Sequence, residues 1–300
     1  MKRLLSLILC AVFLFSFAAC SKEKSADNST PDISAKAVGN VWDSHYDGMS
    51  EASLSAFENL CNAVKTGEDS VSVSADTLDD VNTLYYTSFP LSALVESLEL
   101  SSDGAAIDIY YKNDKKTHLE LVSNFENKVN EIASACGLGS VGSDRYVFNV
   151  YHYICENVVV DDTVLSPYDT IISLKGSAQS VSQAFEYLLL IGGVKASHIV
   201  NFDNGINVMS VSQLGGNDYI FCPYCEIKNT DGKGLTYFAM GSERAENAFM
   251  LTGFKYTDET PLKEIAGGDY GKLADCKSYT FDDEKIEADC GGTQLIMPFK

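Results

Sequence analysis

Cationic residues are scarce in this 300-residue chain: 22 Lys and Arg stand against 42 Asp and Glu, a formal net charge of −20. That shortage excludes the basic face a nucleic-acid backbone demands and disfavours electrostatic attraction to anionic lipid heads. Beyond the first twenty residues, no apolar run is long enough to cross a bilayer. Histidine is limited to four residues, with none after His198. No His-x-x-x-His or His-x-x-Glu-His spacing is present, which excludes a zincin site, and there is no Gly-x-Ser-x-Gly or Walker-type loop. No internal repeat occurs. What remains is 45 % apolar and 21 % charged, with 22 Gly and 6 Pro. These proportions exclude bulk disorder, collagen-like repeats and long coiled coils. The length allows one large domain or two modest ones, either with a proper core.

The N-terminus carries the clearest signal. Lys2 and Arg3 precede the short apolar stretch Leu4–Phe17, followed by Ala18-Ala19-Cys20. The stretch is too short to span a membrane stably, so it reads as a cleaved export signal. Phe17-Ala18-Ala19-Cys20 resembles the end of a bacterial lipoprotein signal peptide, with Phe17 standing where an aliphatic residue is usual. The resemblance implies that Cys20 is lipidated and becomes the mature N-terminus, anchoring the chain on the extracytoplasmic face of the membrane. Residues 21–40 are polar and small, a flexible tether rather than a folded segment. Loss of Lys2 and Arg3 with the signal leaves 20 cationic residues against 42 acidic ones.

Along the folded part, apolar spacing predicts a helix over 50–66 ended by Gly67, a short strand at Val71 and Val73, and a second helix after Asp76. Leu94–Leu100 and Ala105–Tyr111 flank Ser101-Ser102-Asp103-Gly104, a hairpin signal. A long helix is expected over His118–Cys136, with Gly137 closing it. The Gly137–Gly142 stretch marks the best internal boundary. Ser143 or Asp144 is expected to cap the next helix, which carries His152. A loop through Asp161, Asp162, Ser166 and Pro167 leads to a helix at about Ser180–Ile191, with Ser180 and Gln183 as its capping box. Strands are expected at Ala196–Asn201, Ile206–Leu214, Asp218–Phe221 and Leu235–Met240, with a tight turn at Gly215-Gly216-Asn217. Helices followed by a run of strands indicate an α+β fold.

The segment Lys175-Gly176-Ser177-Ala178-Gln179-Ser180-Val181-Ser182-Gln183-Ala184-Phe185, followed by Leu188, Leu189 and Gly192-Gly193-Val194, resembles the transglutaminase-like branch of the papain-like superfamily. Tyr237-Phe238 and Ser242-Glu243 also resemble a downstream segment of its bacterial surface members, and residues 50–140 resemble the prelude found before this domain in bacterial lipoproteins. The resemblance implies helices packed on an antiparallel sheet, with a Cys at a helix N-terminus, a His base and an orienting Asp. Counted onto this chain, the nucleophile position falls on Ala178, the His position on Asn207 (or Val208 after a one-residue slip) and the Asp position near Tyr219, at Cys222. All three are substituted. Ala has no nucleophile, Asn is no base near pH 7, and a thiol orients imidazole poorly. The resemblance implies a degenerate triad, with a ligand cleft lined by Ala178, Gln179, Asn207, Tyr219 and Cys222.

Nine cysteines are present: Cys10 falls in the signal and Cys20 is the lipidation site. Cys61, Cys136 and Cys155 lie on apolar helix faces and read as core. Cys276 and Cys290 are placed to close a small loop in an oxidising compartment. Cys222-Pro223-Tyr224-Cys225 matches the glutaredoxin active site in sequence. There the first Cys opens a helix, whereas the polar, glycine-rich segment 226–234 is not expected to make one. Two thiols or a local disulfide is the plainer reading. A zinc site from Cys222, Cys225, Cys276 and Cys290 needs four convergent sulfurs at an atypical spacing. His198, on an expected strand, is the remaining candidate base.

The sequence therefore sets out five segments: signal 1–19, lipidated Cys20 and tether 20–40, an N-terminal α/β domain 41–140, a transglutaminase-like domain 141–260, and an extension 261–300. The expected role is a membrane-anchored lipoprotein without catalysis, binding a protein or cell-wall ligand, with no cofactor, no metal and no nucleic-acid partner. The alternatives are a cysteine-dependent hydrolase or acyltransferase with its nucleophile relocated to Cys222 or Cys225, a Cys-Pro-Tyr-Cys redox protein, and a scaffold without a pocket.

Overall fold

The structure, a computed structural model, describes residues 50–299 apart from 103, 202–205, 231 and 252–264. The export signal, Cys20, the tether, Trp42 and His45 lie outside the described residues.

Helix α1 (Glu51–Thr66) starts where Ser50 Oγ accepts the Ser53 amide at 3.0 Å. It ends at Gly67, whose φ of 66° lets the amides of Gly67 and Glu68 return to the Val64 and Ala63 carbonyls. Strand β1 (Ser70–Ser72) and helix α2 (Leu78–Ser88) follow, and then the hairpin of β2 (Val95–Leu100) and β3 (Ala106–Tyr111). These strands form one antiparallel sheet in the order β1–β3–β2. Helix α3 (Lys115–Ala135) begins one turn earlier than its apolar stripe indicates, because Asp114 accepts the Lys116 and Thr117 amides at 3.0 and 3.1 Å. His118 therefore lies inside the first turn. It is fully buried, with Nε2 2.6 Å from the Val64 carbonyl at the end of α1.

The second half contains α4 (Ser143–Asn157), β4 (Val159–Val160), α5 (Pro167–Ser173), β5 (Lys175–Gly176) and α6 (Ala178–Ile191). Then come β6 (Ala196–Asn201), β7 (Ile206–Leu214) and β8 (Asn217–Phe221), antiparallel in that order. Every residue of α6 except Gln179 is buried, since neighbouring elements cover it on all sides. Phe125 of α3 stacks on Tyr168 at 5.2 Å between ring centroids and meets Tyr187 at 5.7 Å, so the two halves share one apolar core. Helix α7 (Pro223–Thr230), helix α8 (Ser242–Leu251) and a 3-10 turn (Asp269–Asp275) lead to a last antiparallel sheet of β9 (Ser278–Phe281), β10 (Lys285–Asp289) and β11 (Gln294–Pro298). A disulfide joins Cys276 to Cys290 across this sheet, as their positions predict. The fold is α+β.

Four local expectations are corrected. The capping box of α6 is Ser177 with Ser180, one turn before the expected pair Ser180 and Gln183. Neither Ser143 nor Asp144 caps α4. Gly142 takes that position, and the Asp144 carboxylate instead accepts the Gly215 amide at 2.9 Å, pinning the β7–β8 turn. Leu235–Met240 is not a strand: only Met240 makes a bridge, to Ile220, and Ala239 has a φ of 52°, which breaks extension. The segment after Cys222 does form a helix, α7.

Candidate functional site

Helix α6 begins directly after Gly176, where an added Cβ would lie 2.6 Å from Thr170 Oγ1 and 2.7 Å from Val181 Cγ2. Only glycine lets the chain turn so tightly into the helix. Ser177 N–H and Ser180 Oγ both donate to the Val164 carbonyl, at 3.0 and 2.8 Å, and the Asp161 amide donates to the Gly176 carbonyl at 2.9 Å. The loop 161–166 is thereby stitched over the helix start. Ala178, in the first turn, is only 5 % exposed.

Orientation follows from two observations. Ser182 Oγ lies 3.0 Å from Ser210 Oγ on β7, and Ser210 pairs with Phe221 on β8. At the other end of α6 the chain turns into β6, where Ala196 pairs with Ser212. The N-terminal turn of α6 thus faces the beginning of β7 and the end of β8. Ala178, one turn before Ser182, shares that end of the unit with the backbone of Asn207, which pairs with Val200, and with Cys222, next after β8. Tyr219 sits within β8 pointing to the interior, 1 % exposed, and Cys222 is fully buried. Gln179 is half-exposed, while Ala178, Tyr219 and Cys222 offer a ligand almost no surface.

Cys222 occupies the cap position of α7, because its carbonyl accepts the Glu226 amide at 3.2 Å, and Pro223 fills the first helical position. Cys225 lies three residues on. Neither is disulfide-bonded, and both are at most 1 % exposed. Burial pushes the Cys222 thiol well above its ordinary range, with Cys225 beside it adding to the rise. An activated nucleophile needs the opposite shift. Among the described residues, no three His, Cys, Asp or Glu side chains converge to hold a metal ion, and Cys276 with Cys290 is committed to its disulfide.

Beneath the pair lies Glu226, fully buried. Its Oε2 accepts the Tyr237 amide at 2.7 Å and the Tyr151 hydroxyl at 2.9 Å, while Oε1 accepts Thr230 Oγ1 at 2.9 Å. Burial raises its carboxyl pKa above the usual range against the pull of these donors. Sequence reasoning missed this residue. A lone Glu in a polar run carries no signal until the fold closes over it.

The open face of this half lies elsewhere. A cleft of about 400 Å³ is lined by His152, Glu156, Lys233, Tyr279, Thr280 and Phe281, between α4 and β9. His152 Nδ1 lies 2.9 Å from the Tyr279 hydroxyl, and Nε2 lies 3.2 Å from Glu156 Oε1. Burial lowers the imidazole pKa, and Glu156 opposes that shift. The Phe281 ring meets the imidazole at 4.7 Å, nearly edge to face. The sequence singled out neither Glu156 nor Tyr279, since their encounter spans more than 120 residues. The arrangement offers a carboxylate, an imidazole, an ammonium and aromatic faces, suited to holding a small polar or zwitterionic group. No family model matches the chain, and no curated protein matches it.

Proposed function

We propose that this chain is a lipid-anchored extracytoplasmic protein in which a degenerate transglutaminase-like domain serves binding rather than catalysis. The observation that carries the reading is the start of α6. The position matched to the family nucleophile is Ala178, only 5 % exposed at the helix start to which the 161–166 loop is tied. The position matched to the orienting Asp is Cys222, fully buried. Family chemistry needs a solvent-reachable thiolate and an imidazole at that place. With that place closed, a face open to a protein or cell-wall ligand among the described residues is the cleft at His152, Glu156, Lys233 and Phe281.

Two measurements test the proposal. Metabolic labelling with an alkyne fatty acid in a bacterial host is expected to mark the chain and to be abolished by Cys20→Ala; equal labelling of both refutes the anchor. Thiol labelling across pH, mapped by mass spectrometry, is expected to give slow modification of every core cysteine below pH 7. One cysteine of the 222/225 pair reacting fast there, and slowed by His198→Ala, would overturn the non-catalytic reading in favour of a relocated nucleophile.

A further inference from the structure

At several helix starts in this chain the side chains at the cap position and three residues beyond it are paired. At α1, Ser50 Oγ and Ser53 Oγ are 3.0 Å apart. At α6, Ser177 Oγ and Ser180 Oγ are 3.2 Å apart. At α7 the same two positions hold Cys222 and Cys225. The cap residue's extended backbone and the helical third residue turn both side chains toward each other, whatever their chemistry. With oxygens this gives a hydrogen bond. With sulfurs the same two positions set two thiols at one helix start, where a disulfide would join the cap to the first turn. Both residues are at most 1 % exposed, and the Cys222 carbonyl accepts the Glu226 amide at 3.2 Å, which fixes the first turn that carries them.

The pair is also mechanically connected. The Cys222 amide donates to the Tyr237 carbonyl at 3.1 Å, and the Tyr237 amide donates to Glu226 Oε2 at 2.7 Å. One peptide unit on each side of Tyr237 is thus held by the first turn of α7. Tyr237 itself is half-exposed, while Leu235 and Phe238 beside it are buried.

We propose that Cys222 and Cys225 are a reversible dithiol–disulfide couple that sets how firmly α7 grips the Tyr237 segment. The oxidant is a low-molecular-weight disulfide. One Cys sulfur, as thiolate, attacks a sulfur of that disulfide, forming a mixed disulfide and releasing one thiol. The other Cys sulfur then displaces the second thiol and closes the 222–225 bond. Two protons and two electrons pass from the protein pair to the two released thiols, so the exchange balances. Burial makes the exchange slow, because it proceeds through local opening of the α7 start. The inference does not depend on lipid anchoring or on the absence of catalysis.

The test uses the full-length chain in detergent, equilibrated in glutathione buffers of stepped potential, quenched in acid, alkylated after unfolding and peptide-mapped. Cys222 and Cys225 are expected to lose alkylation together in one two-electron transition, reversed by dithiothreitol, while Cys61, Cys136 and Cys155 stay alkylated. Complete alkylation of both at the most oxidising step, or stable glutathione adducts on either, overturns the couple. Hydrogen exchange at the Tyr237 amide is expected to slow several-fold on oxidation. Identical exchange in both states overturns the grip on Tyr237. Cys225→Ser, which keeps a polar side chain at that position, is expected to fold with unchanged Tyr237 exchange across all buffers. A redox-dependent change in that variant assigns the effect to another cysteine and overturns the proposal.

Discussion

The Tyr237 amide and the fully buried Glu226 carboxylate meet at 2.7 Å. That bond, with those from Tyr151 and Thr230, keeps a buried charge satisfied, and removing either side exposes its cost. Glu226→Ala leaves a tyrosine hydroxyl and an amide without their acceptor and is expected to cost about 3–5 kcal/mol in denaturant unfolding. Glu226→Gln keeps an acceptor oxygen and is expected to stay within about 2 kcal/mol of the parent.

Burial raises the Glu226 pKa in the folded state, so the folded chain holds this proton more tightly than the unfolded one. Its contribution to stability is fully present below the unfolded carboxyl value and is lost as pH rises through the folded value. The difference in unfolding free energy between the parent and Glu226→Gln is therefore expected to shift in the parent's favour as pH falls from neutral toward the ordinary carboxylate range. A difference constant across that range excludes the buried charge as its source.

Gly192 and Gly193 are adjacent but answer to different constraints. A Cβ on Gly192 would lie 2.1 Å from the Tyr146 ring, which is held in place by its hydroxyl donating to the Leu188 carbonyl at 2.8 Å. Gly192→Ala is expected to cost about 2–3 kcal/mol through overpacking. A Cβ on Gly193 meets nothing within 4 Å, but its φ of 72° favours glycine, and Gly193→Ala is expected to cost only about 1 kcal/mol. Thermal melts of both variants check the order, and equal losses contradict it.

The Cys276–Cys290 bond closes a loop with a sequence separation of 14. Replacing both with Ser is expected to cost about 3 kcal/mol by the chain-entropy account. Other ties also hold the last sheet: an Arg145–Asp283 ion pair, the Tyr279–His152 contact, and the Tyr270 hydroxyl donating to the Pro298 carbonyl at 2.8 Å. Hydrogen exchange is expected to rise in β9–β11 while β6–β8 keep their protection. Uniform loss of protection refutes a local effect.

His152 is expected to titrate below the ordinary imidazole value, by virtue of burial, and Glu156→Gln is expected to lower it further by removing the opposing carboxylate. A folded value below the unfolded one means stability that is present at neutral pH and lost as pH falls through the folded value. Ring NMR titration reads the order of the two variants directly, and a rise in Glu156→Gln sinks the assignment.

Elements whose signal is local were legible in the sequence. Ser50 and Gly67 bracket α1, Asp-Gly marks the β2–β3 turn, and alternation with Gly215-Gly216 gives β6, β7 and β8 nearly residue for residue. The misses occur where a distant partner decides. Asp144 looks like a helix cap, yet its carboxylate serves an amide 71 residues away. The polar run after Cys225 looks like a turn, yet Thr230 and Glu226 bond within it and to Tyr151 and Tyr237, fixing α7. Leu235–Met240 alternates like a strand, but its apolar residues are buried by packing against a sheet it does not extend. The segment around Ser166 and Pro167 reads as loop yet forms helix α5, where Ser166 accepts the Asp169 amide and Pro167 takes the first helical position. For the candidate site, local motif spacing led to Ala178, Asn207 and Cys222. The His152 cleft was not legible, because its walls come from opposite ends of the second half.

The loop stitched over α6 also constrains what substitution at position 178 can achieve. A thiol placed there would gain the helix-end field but inherit the alanine's enclosure. Reacting partners would meet a position only 5 % exposed, next to a loop whose Val164 carbonyl is tied to Ser177 and Ser180. Reactivity at this helix end is thus governed by two separable properties, the chemistry of one side chain and the closure of a neighbouring loop, and changing the first alone leaves the second in command.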